Sequence, residues 1–198
     1  MKGLKFYDTG HIYEYDGQII PSVSELCRFL SREVYGDICP AQLENAAQRG
    51  TAVHMATVEL DANGTVECDD AILPYLQAYA LFLREHDVHW ELTEHALAHP
   101  QLLYAGTLDR VGWVDGRYAI VDFKTTATVQ KTLVKAQLNG YCKLLEQHPQ
   151  PVERLYCLQL MADGRYRLYP VAIDGTEFMA QYWLHCSLKK KHKRGRIE

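Results

Sequence analysis

The sequence of 198 residues holds six cysteines but no Cys-x-x-Cys pair, and their positions (27, 39, 68, 142, 157 and 186) follow no regular spacing. Neither a zinc ribbon nor a disulfide framework is legible, and free thiols in a reducing compartment fit better. No apolar run approaches the roughly 20 residues of a membrane span. The N-terminal MKGLKFYDTGHIYEYDG also lacks the apolar stretch of a signal peptide. The chain is therefore read as cytoplasmic and away from membranes. With no Pro/Gly/Ser-rich linker and no shift in composition, 198 residues at 47% hydrophobic are expected to form a single domain, 1–198.

A broad basic surface is missing too. The formal net charge is −4, and six of the 21 basic residues, with one of the 25 acidic ones, fall within 189–198, so the body carries 15 basic against 24 acidic side chains. Any contact with nucleic acid must then be local. The basic end about 187–198, with Lys189, Lys190, Lys191, Lys193, Arg194 and Arg196, has the composition of a phosphate-binding arm and equally that of a solvated chain end.

What is present is a run of helix and strand signals. KFYDTGHIYEYDGQIIP reads as a hairpin around Asp16-Gly17, and PSVSELCRFLS as a helix with Ser22 and Glu25 in capping-box spacing, together an N-terminal hairpin and helix over about 1–35. A helix is expected from Pro40, interrupted or strained at Gly50 and stopped at Asn63-Gly64, and another begins near Pro74. The strand-like WELTEHALAH precedes a central hairpin, an amphipathic helix over 129–147, a second hairpin around Asp163-Gly164 and a last helix ending in lysines. This order predicts an α/β (α+β) domain with a central mixed sheet flanked by helices.

The central hairpin, AGTLDRVGWVDGRYAIVDFKTT, carries the chemistry. Asp115-Gly116 is the pair a type I′ turn demands, since both of its central residues need positive φ. With those two in the loop, cross-strand partners sum to 231, so Trp113 faces Tyr118, Val111 faces Ile120, Asp109 faces Asp122 and Thr107 faces Lys124. Like charges directly opposite are destabilising. Two such carboxylates either share a proton, share a hard cation such as Mg²⁺ or Mn²⁺, or point into water. Removal of one should relieve repulsion. Leu108, Val121 and Phe123 make the other face apolar as well, which suggests a sheet covered on both sides with the aspartates at the rim of a core.

Three other features carry less. His54 lies on a largely apolar helix, where a lone histidine is usually a core residue. Gln137 and Tyr141 lie four apart on one helix face, a spacing common in cores. His95 and His99 have zinc spacing for a helix, but their segment reads as a strand end.

Taken in order, RGTAVH, GTLDRV, IVDFKTT and QLNGY resemble the RecB-like and phage-exonuclease branch of the PD-(D/E)XK nuclease superfamily, over about half of the chain from Arg49 to Leu145. The resemblance implies a restriction-endonuclease-like core. It implies His54, Asp109 and Asp122 as metal ligands with the Phe123 carbonyl as a further candidate, Lys124 as catalytic lysine, and Gln137 and Tyr141 facing the site. It implies one or two Mg²⁺ or Mn²⁺ ions. Since only Cys157 and Cys186 follow the QLNGY helix, the iron–sulfur cluster of some relatives is not expected. The activity so implied is a metal-dependent DNA exonuclease, phage or prophage encoded, acting in recombination or repair with DNA and a recombinase or single-strand annealing protein. A structure-specific endonuclease and a catalytically idle DNA-binding or assembly module are the alternatives.

Overall fold

A tight turn with both central residues at positive φ joins two strands in each of the two sheets, Asp16-Gly17 in one and Asp115-Gly116 in the other. The computed structural model describes residues 3–7 and 9–194, with side chains through Lys189. Strands β1 (Leu4–Tyr7), β2 (Ile12–Tyr15) and β3 (Gln18–Ile20) form an antiparallel meander, one strand more than the hairpin read from the sequence. Asp16 (φ 49°) and Gly17 (φ 81°) make the β2–β3 turn, as their left-handed preference dictates. The meander is joined to the rest by Ala105, whose N–H donates to the Pro21 carbonyl, and by a 2.7 Å hydrogen bond between the Tyr13 and Thr107 hydroxyls.

The helix expected over 21–31 is two helices, α1 (Val23–Leu26) and α2 (Arg28–Tyr35), that break at Cys27. The capping box is half formed: Ser22 Oγ accepts from the Glu25 N–H at 3.0 Å. Helix α3 (Pro40–Asn63) runs through Gly50 without interruption and stops at Gly64, where φ is 73°. Gly50 faces Thr125, whose hydroxyl lies 3.8 Å from where a Cβ would stand, so the glycine sits where α3 passes close to the sheet. Helix α4 (Leu73–Glu85) begins with Pro74 in its first turn, where the absent N–H costs nothing.

The main sheet has the order β4-β5-β6-β7-β8, with β4 (Val88–His99), β5 (Tyr104–Val114), β6 (Arg117–Lys124), β7 (Arg154–Leu160) and β8 (Tyr166–Val171). The β6–β7 pair is parallel and the others are antiparallel, so the sheet is mixed as expected. Helix α5 (Lys131–Leu144) provides the β6–β7 crossover that parallel pairing requires, and α6 (Thr176–Arg194) closes the chain. Both faces of the sheet are covered. Val111, Tyr118, Ile120, Leu155 and Cys157 pack with α1, α5 and α6, while Val114, Ala119, Val121, Phe123, Leu158 and Leu160 pack with α3 and α4.

The register inferred from the sequence holds from Val114↔Arg117 through Val111↔Ile120 to Arg110↔Val121. There the β5–β6 pairing ends. Beyond that point β6 continues on its other edge, with Asp122 opposite Cys157 and Lys124 opposite Gln159 on β7. Asp109 and Asp122 therefore lie just past the last bonded pair of the hairpin, at a fork between β5 and β6.

Candidate active site

The fork gives each aspartate a different set of neighbours. Asp109 Oδ2 accepts the Phe123 N–H at 2.6 Å, so the side chain takes up a backbone donor just past the end of the ladder, and its Oδ1 lies 3.5 Å from His54 Nδ1. His54 comes from α3 and also meets Glu94 Oε1 at 3.2 Å. The ligand atoms of His54, Glu94 and Asp109 all lie within 4.8 Å of one another, a gathering of one imidazole and two carboxylates that could hold a metal ion. Burial opposes a charge on His54, but the Asp109 and Glu94 carboxylates outweigh it and raise the imidazole to about 9. At neutral pH an imidazolium thus serves as the cation between the two acids.

Asp122 is turned to another partner. It is 4% exposed, and its Oδ2 lies 2.6 Å from Lys124 Nζ. Burial pushes the Asp122 carboxyl up, against the pull of Lys124. Burial would lower Lys124, yet Asp122 and Asp109 together raise it, which keeps the ammonium charged. Asp122 is outside the three-residue gathering of ligand atoms. The acids expected to oppose each other are in this way separately neutralised, one by His54 and a backbone N–H, the other by lysine.

Helix α5 closes the site from the side of α1. Tyr141 packs so tightly on Gly106 of β5 that a Cβ there would stand 2.7 Å from its ring. Burial, reinforced by Asp122 and Asp109, holds its phenol well above the ordinary value, so it remains a neutral donor. Gln137, one turn earlier, shares a cleft of about 190 Å³ with Lys124, Tyr35 and Thr126, and its buried Oε1 has no hydrogen-bond partner. Phe123 contributes through its N–H and through its ring, which lies 5.7 Å from that of His54. Of the basic end, Lys189 is exposed on α6, while the side chains of Lys190, Lys191, Lys193, Arg194 and Arg196 lie outside the described residues.

Two participants escaped sequence reasoning. Glu94 is one. It sits on β4 between the bonded pairs Thr93↔Arg110 and His95↔Leu108, at the level of Asp109, with φ 44°, a left-handed backbone that glutamate rarely adopts. Extending the register argument from the β5–β6 hairpin to its neighbour β4 would have found it. Arg110 is the other, a charged residue on the strand face read as apolar. Fully buried, it donates to Asp61 at 2.9 Å, to Thr57 Oγ1 at 2.9 Å and to the Asp109 carbonyl at 2.7 Å, with Glu94 3.5 Å away. Its guanidinium lies 5.1 Å over the Phe123 ring. Asp61 also accepts from the Tyr79 hydroxyl at 2.7 Å, and Trp90 donates to that same hydroxyl at 2.8 Å. This chain of bonds ties α3, α4, β4 and β5 together beside Asp109 and Glu94, and each of the three nitrogens of the buried Arg110 has at least one partner.

No curated protein matches the chain. Among solved structures, an alkaline exonuclease (LHK-Exo) from Laribacter hongkongensis aligns with a TM-score of 0.36 at 15% identity, over 71% of this chain and 84% of that chain. The family comparison is more direct. The model of the PD-(D/E)XK nuclease superfamily matches residues 75–188, more than half of the chain, and the matched part contains Glu94, Asp109, Asp122, Lys124, Gln137 and Tyr141. The forked strands, with an acid on each and a lysine two residues past the second, are the part of the molecule this match spans, and the chain belongs to the PD-(D/E)XK nuclease superfamily.

Proposed function

We propose that this chain is a divalent-metal-dependent DNA exonuclease, built as one nuclease domain over residues 1–198. The observation that carries the reading is the fork between β5 and β6, which gathers His54, Glu94 and Asp109 on one side and a charged Asp122–Lys124 pair on the other. The two carboxylates suit Mg²⁺ or Mn²⁺, and the imidazole favours Mn²⁺ of the two. A divalent ion, when bound, supplies acidity that activates water and neutralises charge on a phosphate oxygen.

The remaining work falls to the chain itself. His54, Glu94 and Asp109 would hold the ion, with Asp122 and the Phe123 carbonyl as further candidate ligands. Lys124 stays protonated, so it cannot take a proton from water. Its role is electrostatic: it orients the attacking water and stabilises the charge that develops at phosphorus. Asp122 keeps that ammonium in place. Gln137 presents an unpaired acceptor to the same cleft, fit to orient water or a nucleotide, and Tyr141 remains a neutral phenol behind the acids.

Attack on ends rather than on closed duplex is supported by the net acidic charge of residues 1–188, which disfavours a broad electrostatic grip on internal duplex. Mg²⁺ or Mn²⁺ as the ion, one ion or two, a phage or prophage origin, a cytoplasmic role in recombination or repair, and a recombinase or annealing partner rest on the order of the sequence motifs. The test is a digestion of linear and covalently closed circular DNA with Mg²⁺ or Mn²⁺ present. Loss of the linear form with the circle spared is expected. Rapid nicking of the circle, abolished by Asp122→Ala, would favour an endonuclease, and no cleavage of either form would favour an idle binding module.

A further inference from the structure

Arg49 lies on α3, five residues before His54, and is used by nothing in the site described above. Its Nε is buried with no hydrogen-bond partner. Nη2 reaches the Thr125 carbonyl at 3.4 Å, long for a charged donor, and the guanidinium stands 5.7 Å from the centroid of the Tyr75 ring. No carboxylate among the described residues lies within 4.0 Å of it. Lys124 and Lys143 also line clefts, but each is ion-paired, with Asp122 and Glu146 respectively.

The cleft that Arg49 faces has a volume of about 540 Å³ and is lined as well by Tyr75, Thr125, Thr126, Met161 and Asp163, whose carboxylate is paired with Arg165. Thr126 lines the Lys124–Gln137 cleft too, so the two clefts meet at the end of β6, two residues beyond the lysine. A chain of phosphates lying over that strand end would pass from the lysine to the arginine. An unpaired guanidinium with an idle donor is the group a phosphate completes, since it offers a fork of N–H donors that match phosphate oxygens. The acidic body makes such a local cation the more necessary.

We propose that Arg49 binds a backbone phosphate adjacent to the scissile one, with the neighbouring nucleotide in the cleft between Tyr75 and Met161. The proposal rests on the nuclease reading and extends it to how the strand is held. It concerns a phosphodiester of nucleic acid, the same chemistry as the scissile group but one step along the strand.

The experiment compares wild type, Arg49→Ala and Arg49→Lys by fluorescence anisotropy on a short labelled single-stranded oligonucleotide, in EDTA to prevent hydrolysis, over a series of salt concentrations. Thermal melting and Mn²⁺ affinity by calorimetry are measured on the same proteins. Arg49→Ala should bind about tenfold more weakly and lower the slope of log affinity against log salt by about 0.7, one phosphate contact on a single strand. Arg49→Lys should keep that slope and lose part of the affinity, with the Mn²⁺ affinity of both variants within twofold of wild type. An unchanged affinity and slope in Arg49→Ala would overturn the proposal. So would loss of Mn²⁺ affinity and melting temperature in both variants, which would make Arg49 a structural residue. Wild type that neither binds nor cleaves DNA would instead overturn the nuclease reading itself.

Discussion

Asp122→Ala should destabilise the metal-free protein, and this is opposite to what two facing carboxylates would suggest. If Asp122 chiefly repelled Asp109, its removal would raise the melting temperature. The structure gives it Lys124 instead, at 2.6 Å, with the Asp122 side chain 5% exposed and that of Lys124 27%. Truncating one member of a buried ion pair costs about 3–5 kcal/mol, because the other charge is left without compensation. Water can still reach the lysine, and relief of repulsion by Asp109 offsets part of the loss, which leaves a net cost of about 1–3 kcal/mol. At about 2–4 °C per kcal/mol for a chain of this size, the melting temperature should fall by about 2–12 °C. The assay is calorimetry in EDTA at pH 7 on Asp122→Ala, Lys124→Met and the double variant. The double variant should be less destabilised than the sum of the singles by about 1 kcal/mol or more, since it strands no charge. A higher melting temperature for Asp122→Ala, or strict additivity in the cycle, would refute the reasoning.

Four further outcomes are expected. The raised pKa of His54, about 9, means that a divalent ion must displace its proton, so Mn²⁺ affinity should rise with pH from 6.5 towards 9; calorimetry in buffers of different ionisation heat should find close to one proton released near pH 7. For the metal-free protein the sign is the reverse: the charged imidazole contributes stability fully below its unfolded value near 6.5, and that contribution is lost as pH rises through about 9. Lys124→Ala should keep Mn²⁺ binding within a fewfold while turnover falls by about 10²-fold or more, the outcome expected of the role proposed for the lysine on the water and the transition state; equal losses of metal affinity in Lys124→Ala and Asp122→Ala would make it structural. Burial pushes the Cys27 and Cys157 thiols up to about 12, so a thiol reagent should label exposed Cys39 in the native state and reach those two only on unfolding.

Much of the architecture was legible because it is set by short-range chemistry. Asp115-Gly116 fixes the turn, the turn fixes the register, and the register puts both aspartates at one level of the sheet. Helix starts at Ser22 and Pro74 and the stop at Gly64 were likewise local. What was hidden is tertiary. Cross-strand sums hold only while a ladder continues, and nothing in AGTLDRV announces that the β5–β6 ladder ends at Arg110↔Val121 while β6 stays paired with β7 as far as Lys124. Gly50 looked like a helix breaker and is instead a point where α3 passes near Thr125. Glu94 depends on an unusual backbone conformation, and Arg110 on partners 49 and 53 residues away in the chain. Such long-range pairings leave no period in the sequence.

The central claim is that acids and lysine at the β5–β6 fork hydrolyse DNA with a divalent ion. It is tested most directly by digesting linear duplex DNA with wild type, Asp109→Asn and Asp122→Asn across a titration of Mg²⁺ and Mn²⁺, each protein first shown by circular dichroism to be folded. The account predicts metal-dependent loss of duplex by wild type, none in EDTA, and a fall of about 10³-fold or more in either variant. Undiminished digestion in EDTA, or full activity in a folded Asp109→Asn protein, would contradict it.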